Sequence, residues 1–179
     1  MKNRKLALGI VILLWSGTTL AQGFRVGVDA VGLFPTGNFA KTYGIGLGGL
    51  LRLEALSAAG VAVTFRSGYI EHLTKTATAD NEGRADVKLD EVPILLGAKL
   101  YSHVGLYGAL EIGGTSTRVT TSIAQVTISD TSFYASAALG IGFLVGPIDL
   151  QLSFRSLDLG NVADTLAFGV SLGINVISL

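Results

Sequence analysis

Ile148-Asp149-Leu150-Gln151-Leu152-Ser153-Phe154-Arg155 is the stretch that decides the fold. Its even-numbered residues are all large and apolar, and its odd-numbered residues are all polar or charged. Successive side chains of a strand point to opposite faces, so strict alternation describes a β-strand with one apolar and one polar face. The next segment repeats the pattern. Leu166, Phe168, Val170, Leu172, Ile174 and Val176 share one parity, and Gly169, Ser171, Gly173 and Asn175 share the other.

Working outward, the same alternation predicts strands over 24–34, 44–55, 61–71, 91–101, 104–115, 132–144, 148–156 and 165–177. Most are close to the 9–11 residues that a tilted strand needs to cross a hydrocarbon layer. The connections alternate in length. Residues 35–43, 72–90 and 116–131 are long, 157–164 is intermediate, and 56–60, 102–103 and 145–147 are short. Every short connection falls on the same end, as in barrels with short periplasmic turns and longer extracellular loops. Segments 72–90 and 116–131 are rich in Thr, Ser, Asp and Asn and read as those loops.

The two faces differ sharply. The apolar one carries Phe24, Val28, Leu51, Phe65, Leu96, Leu110, Ile141 and Leu152 among others, with Glu71 as its only charge. The opposite face carries Arg25, Asp29, Arg52, Glu54, Arg66, Glu91, Lys99, Glu111, Asp149 and Arg155, with most of the strand glycines. A Lys or Arg facing lipid at mid-depth costs roughly 2–4 kcal/mol, so the segregation implies lipid outside and charge inside. A β-sandwich would bury the apolar face, but it explains neither the strand lengths nor the sorted loops. A lipocalin-like barrel would show the reverse polarity. The expected fold is therefore an all-β, eight-stranded, antiparallel up-and-down transmembrane β-barrel.

Composition agrees. Mean hydropathy is +0.56 with 49% apolar residues, yet glycine numbers 24 and no later window is apolar long enough for a spanning helix. Lipid-facing strands resolve that conflict. There are no cysteines, and 13 basic residues balance 13 acidic ones, so nothing points to a disulfide framework or to nucleic acid. The N-terminus reads as a secretory signal: basic Lys2, Arg4 and Lys5, an apolar run Leu6–Trp15, then Thr19-Leu20-Ala21. That run is shorter than the roughly 18 residues of a spanning helix. Cleavage after Ala21 would leave residues 22–179 as one domain.

An eight-stranded barrel has an interior only wide enough for side chains to fill. Arg25, Asp29, Arg52, Glu54, Arg66, Lys99, Glu111 and Asp149 are expected to pair there as a salt-bridge plug, since buried charges persist when paired. Nearer the long-loop rim, Val31, Leu33, Ile70, Pro93 and Leu95 point inward, with Tyr134 approaching; they read first as packing beneath the loops and, as the alternative, as a small apolar cup for a ligand. Proline in a closed sheet suits a strand start or bulge, so Pro93 suggests a fourth strand that begins later. Enzymatic constellations are nearly absent. His72, with Ser67 nearby and Asp130 across the rim, is the one candidate catalytic group, and no cluster has metal-ligand spacing. No cofactor is expected.

Two stretches carry a resemblance. Leu33-Phe34-Pro35-Thr36-Gly37-Asn38-Phe39 with Tyr43-Gly44-Ile45-Gly46 resembles a first hairpin, and Val92-Pro93-Ile94-Leu95-Leu96-Gly97-Ala98-Lys99-Leu100-Tyr101 a fourth strand, of the small, porin-like outer-membrane β-barrel proteins. The resemblance implies residence in a Gram-negative outer membrane among its lipids and insertion by the barrel-assembly machinery. Members usually end in an aromatic residue. This chain ends Gly173-Ile174-Asn175-Val176-Ile177-Ser178-Leu179, which points to slower insertion or a different assembly signal. The expected role is non-enzymatic: structural support, or interaction with extracellular partners through the loops. The alternative is a narrow, OmpW-like carrier for small hydrophobic molecules that enter by the cup, and a lipid-modifying enzyme stands third.

Overall fold

The computed structural model describes residues 21–57, 59–79, 83–123 and 126–179, so the expected signal segment lies almost wholly outside it. In chain order the elements are β1 (Ala21–Pro35), α1 (Phe39–Thr42), β2 (Gly46–Ser57), β3 (Val61–His72), β4 (Lys75–Ala79) and β5 (Gly83–Tyr101). They continue with β6 (Leu106–Ile123), β7 (Val126–Val145), β8 (Ile148–Ser156), α2 (Val162–Thr165) and β9 (Leu166–Ser178). No described helix is long and apolar enough to cross a membrane.

The sheet closes on itself. Antiparallel ladders run β3-β2-β1-β9-β8-β7-β6-β5, and β5 pairs back with β3, giving a ring of eight strands. The seam between β1 and β9 runs from Arg25↔Ser178 to Pro35↔Ala167, and reciprocal hydrogen bonds join Phe24 and Leu179. Closure leaves no sheet edge in the wall, which a chain in lipid requires because nothing there can satisfy an open ladder. At the short-turn end, Gly105 (φ +86°) and Gly146 (φ +56°) take the left-handed backbone that tight hairpins demand.

The wall meets its surroundings as the parity rule predicts. Leu110, Leu139, Ile141 and Leu152 are exposed on the outside, while Asp29, Arg52, Lys99 and Glu111 are buried within. Phe34, Phe154 and Phe168 cluster outside near the long-loop end, and Phe24 and Phe143 lie outside near the other. From Phe24 to Phe34, ten steps of about 3.3 Å at a tilt of about 40° give a band about 25 Å tall, the apolar height of outer-membrane barrels.

Two expectations are corrected. Segments 72–90 and 116–131 are not simple loops. Residues 83–90 all extend β5, Lys75–Ala79 forms a ninth strand beside it, and β6 and β7 pair up to Ile123↔Val126. These segments are rich in β-branched Thr and Val, which favour strand. At 126–131, above the lipid zone, every residue is exposed, so the apolar alternation disappears and the ladder continues without it. Nor does Pro93 begin the strand. It lies inside β5, paired with Thr115, while the β3–β5 ladder skips from Ser67↔Ile94 to Ile70↔Glu91. Proline has no N–H to give, and the wall tolerates the gap on one side only.

Candidate functional site

The interior holds the ten inward charges, arranged in two clusters. Arg52 on β2 is the hub of the first. Its Nε lies 3.2 Å from Asp29 Oδ1, and its Nη1 lies 3.1 Å from Glu54 Oε2 and 2.6 Å from Asp149 Oδ2. Its Nη2 donates to Asn175 Oδ1 at 3.2 Å. Lys99 adds a 2.7 Å contact to Asp149 and a 3.5 Å contact to Glu54. Arg66 reaches Asp29 at 3.0 Å and Glu111 at 3.2 Å. Arg25, the most exposed member, reaches Glu54 at 3.2 Å and marks the short-turn mouth. These ties span β1, β2, β3, β5, β6, β8 and β9, so they cross the lumen as well as following the wall.

Two tyrosines complete this cluster. Tyr101 donates to Glu54 Oε1 at 2.6 Å, Tyr107 donates to Asp149, and their rings lie 5.1 Å apart. Lys99 Nζ sits 4.2 Å from the centre of the Tyr107 ring. The inner-face glycines make room for such groups. A Cβ at Gly173 would stand 2.1 Å from Asp29 Oδ1, and one at Gly142 2.2 Å from the Tyr107 ring. Gly142→Ala is therefore expected to push Tyr107 off Asp149 and lower stability by about 1–3 kcal/mol, the usual cost of overpacking. Urea unfolding in detergent micelles measures it, and an unchanged midpoint would contradict the packing.

The second cluster lies near the long-loop end. His72 Nε2 is 2.7 Å from Glu91 Oε1, and its Nδ1 is 2.9 Å from the Gly44 carbonyl oxygen. Arg155 Nη2 is 2.9 Å from Glu91 Oε2 and donates to Thr115 Oγ1 at 2.9 Å. Ser67 pairs with Leu51 and Ile94 on the outer face, away from His72. The partners of His72 are Glu91 and Gly44, so neither Ser67 nor Asp130 joins it. No group of three potential metal ligands occurs among the described residues.

Of the residues expected to outline a cup, Val31, Leu33, Ile70 and Leu95 are buried inside and Tyr134 is half-buried. Val31, Leu33 and Ile70 pack with Leu50, Leu89, Leu157, Ala167 and Phe39, a residue delivered by α1. The ring centre of Phe39 is 5.2 Å from that of Tyr43 and 5.8 Å from that of His72. Between this apolar packing and the polar floor remains a cavity of about 20 Å³. The segment carrying α1 is tied to the one carrying α2 over the β1–β9 seam, because Asn38 Nδ2 donates to Asp164 Oδ1 at 2.7 Å and Thr36 to the Leu166 carbonyl at 2.8 Å. The Asn38 bond holds the Asp164 carboxyl below its ordinary range.

Phe39, Tyr43 and Leu157 were not legible as interior groups, since they sit in segments without alternation. Tyr101, Tyr107 and Asn175 had the inward parity in plain view. On the outside, Glu71 marks the top of the apolar band, with Lys88 Nζ 2.6 Å from its Oε1.

Neither a known family profile nor a curated protein sequence matches this chain. Solved structures do. The chain is similar to Ail, the attachment invasion locus protein of Yersinia pestis, with a TM-score of 0.56 at 10% identity over 88% of this chain and 97% of that one. Neisserial surface protein A gives 0.55 at 15% identity over 86% and 96%. The N-terminal β-barrel domain of Pseudomonas aeruginosa OprF gives 0.56 at 15% identity over 84% and 96%. The fold is thus that of the small eight-stranded outer-membrane β-barrels, and the apolar belt fits the outer membrane that this fold occupies.

Proposed function

We propose that this protein is a closed, non-enzymatic barrel of a Gram-negative outer membrane, with a charge-plugged interior, that meets its partners at the long-loop end. The observation that carries the reading is the Arg52 hub. One buried guanidinium contacts carboxylates from β1, β2 and β8 and so ties strands three places apart in the ring across the lumen. A lumen bridged in this way has no continuous water path, and in an eight-stranded barrel there is little space for one.

Surface interaction is supported by what rises above the apolar band. The β6–β7 hairpin extends well beyond the end of β8 and is lined by cross-strand hydroxyl pairs, Thr120 with Ser129 and Ser122 with Thr127. Polar ladders of this kind present side chains on a stiff support, which suits recognition by an extracellular partner. Two structural neighbours bear names of that kind, an attachment protein and a surface protein, and the proposal extends that role to this chain. Carriage of a hydrophobic molecule would require Phe39 to leave the mouth, and nothing in the packing of α1 favours that. Membrane lipid and the barrel-assembly machinery complete the set of proposed partners.

The test is conductance. Reconstituted into a planar bilayer, the wild-type protein is expected to pass no discrete currents. Channels in the wild type that change with Asp149→Asn or Glu111→Gln would overturn the closed-barrel reading and give transport first place.

A further inference from the structure

The two interior clusters leave a chamber where they meet. This is the cavity of about 20 Å³, whose walls include Arg66, Glu111, Ser153, Arg155 and Ser171 beside apolar Val31, Leu33 and Leu95. Such a volume admits one guest the size of a water molecule or a halide ion. Arg66 and Arg155 are each only 5% exposed. The Nε of each has no hydrogen-bond partner among the described residues. Buried donors are normally satisfied, so two orphaned N–H groups on arginines that wall one chamber call for an acceptor inside it.

The charge balance says what kind of acceptor. His72 Nδ1 faces the Gly44 carbonyl oxygen, which can only accept, so that nitrogen carries a proton. Its Nε2 faces Glu91 Oε1 at 2.7 Å, and a second proton must lie between them. Whichever of the two holds it, His72 and Glu91 together are neutral. Arg155 Nη2 also lies 2.9 Å from Glu91 Oε2, so His72, Glu91 and Arg155 together carry one net positive charge. The remaining inward cations are Arg25, Arg52, Arg66, Lys99 and Arg155, and the remaining inward carboxylates are Asp29, Glu54, Glu111 and Asp149. One positive charge is in excess, and it belongs to the His72–Glu91–Arg155 group, whose Arg155 reaches the chamber wall. A water molecule would satisfy the two N–H groups and leave the net charge of that group buried without compensation, which is strongly unfavourable.

The geometry points to a binding site for a single monovalent anion of halide size, chloride in ordinary salt. The Nε–H groups of Arg66 and Arg155 hold it, and the hydroxyls of Ser153 and Ser171 stand on the same wall as further donors. Glu111 also lines the chamber, and Arg66 Nη1 covers both of its oxygens at 3.2 Å. The closed-interior reading does not depend on this site.

Bromide tests it. Crystals of the folded wild-type protein grown in sodium bromide should show an anomalous peak in the chamber, within hydrogen-bond distance of both Nε atoms. In solution, the wild-type melting temperature should be higher in chloride than in gluconate at equal ionic strength. Ser171→Leu, which fills the chamber and keeps both arginines, should lose that difference, and Ser153→Val serves if that variant does not fold. Density without anomalous signal in bromide crystals would make the guest a water molecule and overturn the proposal. A wild type indifferent to chloride, or a chloride preference that survives filling of the chamber, would do the same.

Discussion

Arg52→Met is expected to lower the unfolding free energy of the barrel by about 3–5 kcal/mol, the usual cost of removing one partner from a buried ion network. The side chain it removes is 2% exposed and touches Asp29, Glu54, Asp149 and Asn175. Lys99, Arg66 and Arg25 remain in contact with those carboxylates, but none of them reaches all three. Carboxylates left short of a cation in a narrow, dry lumen are costly, and methionine fills the space without offering a donor. Arg52→Lys retains the charge and loses the fork, so it should fall between the two. Urea unfolding in lipid vesicles or micelles, followed by the mobility shift of the folded barrel on gels, reads the effect. A midpoint for Arg52→Met equal to that of the wild type would show that the hub does not hold the walls together.

Leu152→Arg carries the second large effect. Leu152 lies in the middle of β8, exposed on the outer face and paired laterally with Ile141 and Val170. In water an arginine there would be harmless. In a bilayer it meets hydrocarbon near mid-depth, at a cost of about 2–4 kcal/mol. Insertion into vesicles should slow, and the inserted protein should unfold at lower urea, while Leu152→Ile stays near wild type. Equal folding yields for Leu152→Arg and Leu152→Ile in lipid would reverse the inside–outside assignment.

These two predictions draw on different levels of information. That Leu152 faces out and Arg52 faces in follows from parity along each strand, because the side-chain period of two is local and needs no partner. Which carboxylates Arg52 meets is another matter. Asp149 is 97 residues away on a strand that is not a neighbour of β2 in the sheet, and it comes within 2.6 Å only because the sheet closes. Tyr107 and Asn175 share the inward parity, yet nothing in the residues around them says that one reaches Asp149 and the other Arg52. Above the membrane even parity fails as a guide. Residues 118–122 and 126–132 show no sustained apolar alternation, and their strand character rests on β-branched residues and on a ladder already started below.

Local patterning along the chain sets the strand period, the apolar and charged faces, the sorting of connections into long and short, and hence a lipid-facing barrel of eight strands. All of these are properties of neighbours along the chain. Ring closure and long-range packing alone turn Phe39 on α1 into the mouth, face His72 to Glu91 rather than to Ser67 or Asp130, and bring Arg66 and Arg155 to one small chamber. Those contacts join residues far apart in the chain, and the circumference and register of a closed ring set them.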